Sequence, residues 1–334
     1  MMRGRLWLVL PWLAFVAIVV GWIGYWHYVA TQAEARLAAF MAQQNAGGAE
    51  ASYRALSRHG FPVLLRLEID DIAYASPRGG WRANTARADL VIDLLNPQHV
   101  ILQARAPIAI ARADGAVTNV NAQTLIASVR TERGALAVGG IEADQLTLDD
   151  PAQPGVMSIQ KLVANMRPDP RRAGDYQLAL EIQALHLPRP VRALEPLGQN
   201  VAALRAAVVI EQAAALLQPS PGDPTGAWRA AGGKLRFEAL QTEWGPLNAD
   251  ARGEGGLDGE RRIDGALELR VRRPGPFLNA IAEAPSISHD ARNALKALAL
   301  GFTLAGSDVS LHAAAHDGAL TLEGADVRSL DPAY

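Results

Sequence analysis

Hydrophobic and polar positions follow three patterns along this chain, one after another. From Leu6 to Trp26 there is no charged residue. At about 1.5 Å per residue the run makes roughly 31 Å of helix, which matches a bilayer core of about 30 Å. Eleven of its residues are Leu, Ile, Val or Phe, and at about −0.3 to −0.6 kcal/mol each their insertion gains several kcal/mol. Thr31 to Gln44, TQAEARLAAFMAQQ, is rich in strong helix formers. Leu37, Phe40 and Met41 share a stripe at i, i+3, i+4. The helix is expected to continue out of the membrane as a stem and to end at Asn45-Ala46-Gly47-Gly48, where glycine is available for a cap. A second short helix is expected over Ser52 to Arg58, closing at Gly60.

Beyond Gly60 the period becomes two. Leu65, Leu67 and Ile69 alternate with Arg66, Glu68 and Asp70. Asp71 then intervenes, and Ile72 and Tyr74 continue with the opposite parity, the slip that a bulge produces. Tyr176, Leu178, Leu180 and Ile182 alternate with polar or small residues, as do Ile263, Leu267, Leu269 and Val271. Turn residues separate the strands at Pro77 to Gly80, Asp114-Gly115, Arg133-Gly134, Asp258-Gly259 and Asp317-Gly318. One apolar and one polar face per strand describe antiparallel sheet with one covered side. Leu65, Leu67, Ile69, Leu178, Leu180, Ile182, Leu267 and Leu269 are expected to share that side.

Helices interrupt the strands in few places. Pro190 to Leu197 and Pro276 to Ala284 read as short ones, the latter with Pro276 in its first turn. Ser288 to Leu300 reads as a third, capped by Ser288 and followed by Gly301. Val201 to Leu217 fits neither template. Gln218 to Gly226 is crowded with Pro and Gly and reads as a linker. The fold class is therefore mainly β, a β-rich α+β chain. Its expected plan is a tail at 1–5, a transmembrane helix at 6–28, a helical stem at 29–60, a β-rich half at 61–217, a linker at 218–226, and a second β-rich half at 227–334 with a two-helix insert. Trp81-Arg82-Ala83 and Trp228-Arg229-Ala230 each open a strand region, 16 and 18 residues before Pro97 and Pro246. Internal duplication and chance recurrence both account for that likeness.

The flanks of the apolar run set its orientation. Arg3 and Arg5 precede it, which keeps the N-terminus in the cytoplasm. Trp7 and Trp12 near one end, and Trp22 and Trp26 with Tyr25 and Tyr28 at the other, are placed as interface belts. A cleaved signal peptide would have an apolar region of about 7 to 15 residues and a small-residue cleavage site. This run is longer and no A-x-A site follows closely, so a retained single-pass anchor is the favoured reading.

Composition adds limits. A net charge of −2 gives no basic field for nucleic acid. With no Cys, the part beyond the membrane has no disulfides and relies on a core, for which 49% apolar residues suffice. Only 6% are aromatic and Ala is abundant, which points to thin, closely packed layers.

Reaction chemistry finds little purchase. There is no G-x-S-x-G elbow and no H-E-x-x-H. Gly232-Gly233-Lys234 is followed by Leu235 and is not a phosphate loop. Gly253 to Gly259 reads as a long hairpin turn. His312 and His316, four apart, read as strand histidines without further metal ligands, and His59 as structural. Asp70-Asp71 and Asp149-Asp150 adjoin slips or turns, where Asp is ordinary. The expectation is a non-enzymatic protein with no catalytic, cofactor or metal residues.

The chain resembles the Gram-negative bacterial family known as domain of unknown function 2125. The likeness rests on the N-terminal anchor and on Ser57-Arg58-His59-Gly60-Phe61-Pro62-Val63 leading into an alternating strand. It rests also on Trp244-Gly245-Pro246-Leu247, Asp264-Gly265-Ala266-Leu267 and Asp317-Gly318-Ala319-Leu320, ending in a strand from Val327 to Leu330. The last block is similar to the end of AsmA-like envelope proteins. The resemblance implies a long, curved antiparallel sheet in the periplasm with a lipid-sized groove, held at the inner membrane. The eight alternating residues named above then become candidate groove-lining positions, and phospholipid or another envelope lipid the expected ligand. The alternative is a scaffold or assembly factor that pairs with other envelope proteins through an exposed strand edge.

Overall fold

The computed structural model of the protein describes residues 3–76, 80–151, 155–190, 192–217, 224–284, 289–306, 308–322, 325–330 and 332. The chain is mainly β, with an N-terminal apolar helix and a few short helices. It divides into two compact units, Met1–Ala135 with Asp150–Ala152, and Leu136–Asp149 with Gln153–Tyr334.

In the first unit a single helix, α1 (Arg3–Ala46), carries both the apolar run and the stem. It ends as its glycines predict. Gly48 lies at φ +87°, its N–H donates to Asn45 O at 3.0 Å, and the Ala49 N–H donates to Gln44 O at 3.1 Å. These paired bonds satisfy carbonyls that the last turn leaves open. The Asn45 side chain then holds Ala51, accepting from its N–H at 2.6 Å and donating to its carbonyl at 3.0 Å.

The expected helix over Ser52 to Arg58 does not form. The segment is strand, β1 (Glu50–Ser52) and β2 (Ala55–His59), and both pair antiparallel with β3 (Leu64–Ala75). So short a helix satisfies few of its own backbone groups, whereas the β3 edge offers each residue a ladder partner. Strand β3 continues into β4 (Trp81–Asp93) and β5 (Asn96–Arg112), and β5 pairs with β6 (Val117–Asn121) and β7 (Thr124–Glu132). The slip at Asp71 is one of side-chain parity alone, with no shift of register against β4 and so no bulge in that ladder. Asp70 faces Arg87 and Ile72 faces Thr85, leaving Asp71 unpaired at φ +49°.

The core of this unit lies between α1 and the sheet. Trp26, Val29, Ala30 and Ala33 form one stripe of α1 and pack on Leu65, Leu67, Ile92 and Leu94. Ala30 and Ala33 keep the helix axis close to the strands. Leu65 and Leu67 are 0% exposed, and full burial of such side chains contributes about 1.5–3 kcal/mol each. Arg58 of β2 grips Glu34 of α1 through two of its nitrogens. That bond, ahead of a smaller Coulombic contribution, holds the Glu34 carboxyl below the usual carboxylate range.

The second unit is a meander. Strands β8 (Ala135–Asp149), β9 (Val156–Pro168), β10 (Tyr176–His186), β11 (Asn200–Ile210), β12 (Leu235–Trp244), β13 (Leu247–Leu257), β14 (Ile263–Val271), β15 (Val309–His316), β16 (Ala319–Leu322) and β17 (Ala325–Ser329) each pair antiparallel with the next. Val201 to Leu217, unassigned from sequence, is mostly β11. Pro190 to Leu197 contains a 3₁₀ turn at Arg192–Leu197.

Several expectations need correction here. Residues 218–223 of the expected linker lie outside the described residues. Strands β11 and β12 on either side of it pair directly, from Val201 opposite Trp244 to Ile210 opposite Leu235, so the compact units divide elsewhere. Trp228 sits in a helix, α3 (Pro224–Ala230), preceded by the single turn α2 (Ala214–Leu217). Trp81 opens a strand, so the two Trp-Arg-Ala runs are not structural equivalents. Helix α4 (Pro274–Ala282) begins at Pro274, with Pro276 two residues further in. Helix α5 (His289–Ala305) runs through Gly301. An internal Gly costs only about 1 kcal/mol, and the chain turns instead at Gly306, φ +64°. The expected cap, Ser288, and the turn residues 77–79 lie outside the described residues.

The run Gly253 to Gly259 is not one long turn. Gly253, Gly255 and Gly256 belong to β13, and the turn is confined to Asp258–Arg261, closed by the Arg261 N–H donating to Asp258 O at 3.2 Å. The glycines are there for approach. A Cβ on Gly253, at φ +154°, would strike Ala266 O on β14.

Candidate functional site

A recess of about 800 Å³ in the first unit is an open groove along α1. One wall is the helix face next to the core stripe, with Tyr28, Gln32, Leu37 and Phe40. The other is the helix-facing side of β4, β5 and β7, with Leu90, Val100 and Val129. Register explains that second wall. Leu90 lies opposite Leu102, Ile92 opposite Val100, and Val100 opposite Val129, so their side chains share a face. The helix covers the β3 end of this face and leaves the β5 and β7 end open. Clefts of this size accept small ligands. Arg36 is the cation at its edge, and among the described residues it has no ion-pair partner.

The eight groove candidates fall in three settings. Leu65, Leu67 and Ile69 of β3 are buried, the first two directly under α1. They make the floor of a filled core, because the helix lies over them; their cross-strand neighbours Leu90 and Ile92 reach the groove instead. Leu178, Leu180 and Ile182 in β10 and Leu267 and Leu269 in β14 are half-buried in the second unit. They lie on one face there. Leu180 faces Ala206, Ala206 faces Leu240, Leu240 faces Ala251, and Ala251 faces Leu269. Part of that face is covered at its edge, where Val201, Ala249 and Val271 are buried with Leu197 and Ala282.

The membrane-anchor tryptophans also separate. Trp12 is exposed, as a lipid-facing ring is. Trp26 is not: it is 6% exposed, and its Nε1–H donates to Leu64 O at 3.1 Å. The Trp22 Nε1–H donates to Pro62 O at 2.8 Å, and the Tyr25 hydroxyl to Leu94 O at 3.0 Å. Three members of the second belt read from sequence, Trp22, Tyr25 and Trp26, thus also tie the helix to the sheet, while Tyr28 is exposed. Aromatics with a polar tip serve both uses. Trp7's side chain lies outside what is described.

Other chemistry is sparse. Among the described residues no group of three or more His, Asp or Glu side chains is placed to hold a metal ion. His316 Nδ1 is 2.7 Å from Asp264. Asp70 and Asp71 pair with Arg54, Asp70 also with Arg87, and Asp150 pairs with Arg112 at 2.8 Å. Asp89 is buried on the face of β4 away from α1, where Arg105 bonds one of its oxygens at 2.7 Å and the other has no partner. In the second unit a recess of about 450 Å³ is lined by Gln241, Asp250, Arg252, Glu268, Arg270 and Arg272. Its charges are compensated in part, with Arg272 on Asp250 at 2.6 Å and Arg270 on Asp308 at 3.0 Å. Sequence reasoning missed the walls Leu90, Val100 and Val129 and the cation Arg36. The signal for the helix wall was present in the Leu37–Phe40 stripe.

No curated protein and no solved structure matches the chain. Residues 26–330 match the family described as an uncharacterized protein conserved in bacteria, DUF2125, and the chain belongs to that family.

Proposed function

We propose that the protein is a single-pass anchor of the bacterial inner membrane that binds an envelope lipid, without catalysis, in the groove beside α1. The observation that carries this reading is the helix shared between membrane and groove. Leu10–Ala46 contains a window of mean hydropathy 1.6, enough by length and composition to cross a bilayer, and Tyr28 to Phe40 of the same helix line the groove. An acyl chain fits the Leu37, Leu90, Val100 and Val129 surface, and Arg36 is placed to meet an anionic headgroup. Arg3 and Arg5 put the N-terminus in the cytoplasm and the two β-rich units in the periplasm. The core supports retention of the helix, since cleavage near Ala33 would remove Trp26, Val29 and Ala30 from it.

The test is purification of the full chain in mild detergent, followed by lipid extraction and mass spectrometry. Val129→Asp adds a charge at an exposed wall position, where the fold tolerates it, and is expected to lower bound lipid. Val117→Asp, on β6 outside the groove, is expected to leave it unchanged. Equal lipid in wild type and Val129→Asp overturns the proposal.

A further inference from the structure

The apolar run and the folded first unit share residues, and that sharing limits how far the unit stands from the bilayer. Trp22 is bonded to the β2–β3 loop at Pro62. The helix before that tie, Leu6 to Gly21, has 16 residues, which is roughly 24 Å at about 1.5 Å each. That is about 6 Å short of a hydrocarbon core of about 30 Å. The shortfall is made up at the level of Trp22 to Trp26, where two loop tips of the sheet meet the helix.

The tips are Gly60-Phe61-Pro62-Val63 and Leu94-Leu95-Asn96-Pro97. Pro62 O accepts from Trp22, Leu64 O from Trp26, and Leu94 O from Tyr25. The Phe61 ring stands edge-on to Trp26 with centroids 6.0 Å apart. Neither tip carries a charged residue. Yet Leu95 is 80% exposed, Val63 66% and Phe61 52%, beside a helix whose own apolar side chains from Leu10 to Val20 are exposed. A contiguous apolar surface of this kind marks a contact with something apolar. Its continuity with the apolar run says what that is.

We infer that Phe61, Val63 and Leu95 form a lip seated in the bilayer, at the boundary between headgroups and acyl chains where α1 leaves the membrane. The occupant of this patch is phospholipid of that leaflet. The inference rests on reading α1 as a retained membrane span. It adds a route for the ligand: Tyr25 and Pro97 line the groove, Tyr25 bonds Leu94 beside Leu95 of the lip and Pro97 belongs to the same tip, so the groove opens at the bilayer surface and a lipid enters from the leaflet without crossing water.

The absence of Cys makes the test direct. Phe61→Cys, Leu95→Cys, Val16→Cys and Val117→Cys are made singly in the full chain and labelled with bimane. Each is reconstituted in phosphatidylethanolamine–phosphatidylglycerol vesicles, with brominated acyl chains or with aqueous iodide as quencher. Val117 faces Ala111, roughly 45 Å of strand from Pro97 at about 3.3 Å per residue, and reports water. The expected result is bromolipid quenching at 61 and 95 severalfold above that at 117, with shielding from iodide, as at 16. Quenching at 16 by bromolipid with 61 and 95 open to iodide refutes the lip and leaves the span standing. Iodide access at 16 refutes the span, and the lip with it. Shielding of 61 and 95 from both quenchers means that protein, a second copy of the chain, covers the patch, and the lipid occupant is wrong.

Discussion

Truncating Trp26 separates a ring that faces lipid from one that holds the fold. The side chain is almost wholly buried between α1 and β3, with Ala30 and Leu65 in the same cluster. Trp26→Ala removes that packing and leaves a cavity, at about 3–5 kcal/mol for an aromatic residue in a core. It also leaves Leu64 O without its indole donor, and a buried polar group without a partner costs about 1–3 kcal/mol. Against a total stability of about 5–15 kcal/mol, the first unit is expected to open. Trp26→Phe keeps most of the apolar volume and loses only the hydrogen bond, so it should cost about 1–3 kcal/mol. The assay is amide hydrogen exchange of the full chain in mild detergent, read at β3 and β4. Protection there should fall by orders of magnitude in Trp26→Ala and modestly in Trp26→Phe, and Trp12→Ala should leave it unchanged. Unchanged protection in Trp26→Ala would show that the ring faces lipid and that the helix–sheet core has been misassigned.

Leu67→Asp places an unpaired charge at a fully buried position, at a cost of several kcal/mol, and should abolish the urea transition of the first unit; Leu180→Asp, half-buried, should shift the midpoint of the second unit without abolishing folding. Gly60→Ala should lower stability by about 1–3 kcal/mol, since Gly60 lies at φ +96° and a Cβ there would strike Leu64; a thermal melt equal to wild type would mean the loop tip is not under that constraint. The His316 imidazole is held above its ordinary value of 6.5, first by its hydrogen bond with Asp264 and then by the charge of Asp317. A raised folded value means that this pairing stabilises fully below about pH 6.5 and is lost as pH rises through the folded value; Asp264→Asn should bring the His316 titration, followed by NMR, back down.

Local pattern carried far in this sequence because each strand has a dry face. The Leu65–Ile69 alternation, the slip at Asp71 and the stop at Gly48 are local facts, settled by side-chain parity and by backbone freedom at one residue. What pattern did not carry was which partner covers a face. Leu65 and Leu180 read alike, yet one lies under α1 and the other on a half-open sheet. The difference is a long-range contact between residues 26–33 and 64–94. Ser52 to Arg58 was misread for the same reason: its strand state depends on the β3 edge, which the local sequence does not contain. Trp22 and Trp26 were read as an interface belt, and their ties to the sheet were not legible, because an indole serves a membrane interface and a protein core with the same chemistry. The groove fell between these two errors, with one wall on a helix and the other on strands whose alternation is broken by Ala.

The shared helix also sets an order of events during synthesis. The chain emerges from its N-terminus, and half of the eight buried residues of the first core belong to α1. If α1 spans the membrane as proposed, the helix, with local contacts only, forms and reaches the bilayer before the strands that pack on it. Leu65, Leu67, Ile92 and Leu94 follow within about seventy residues and condense on a surface that is already fixed in place. On the proposed reading of α1 as a membrane span, the membrane would act as the folding template of the first unit, and a chain that failed to insert would lack an ordered stripe against which its first sheet could close.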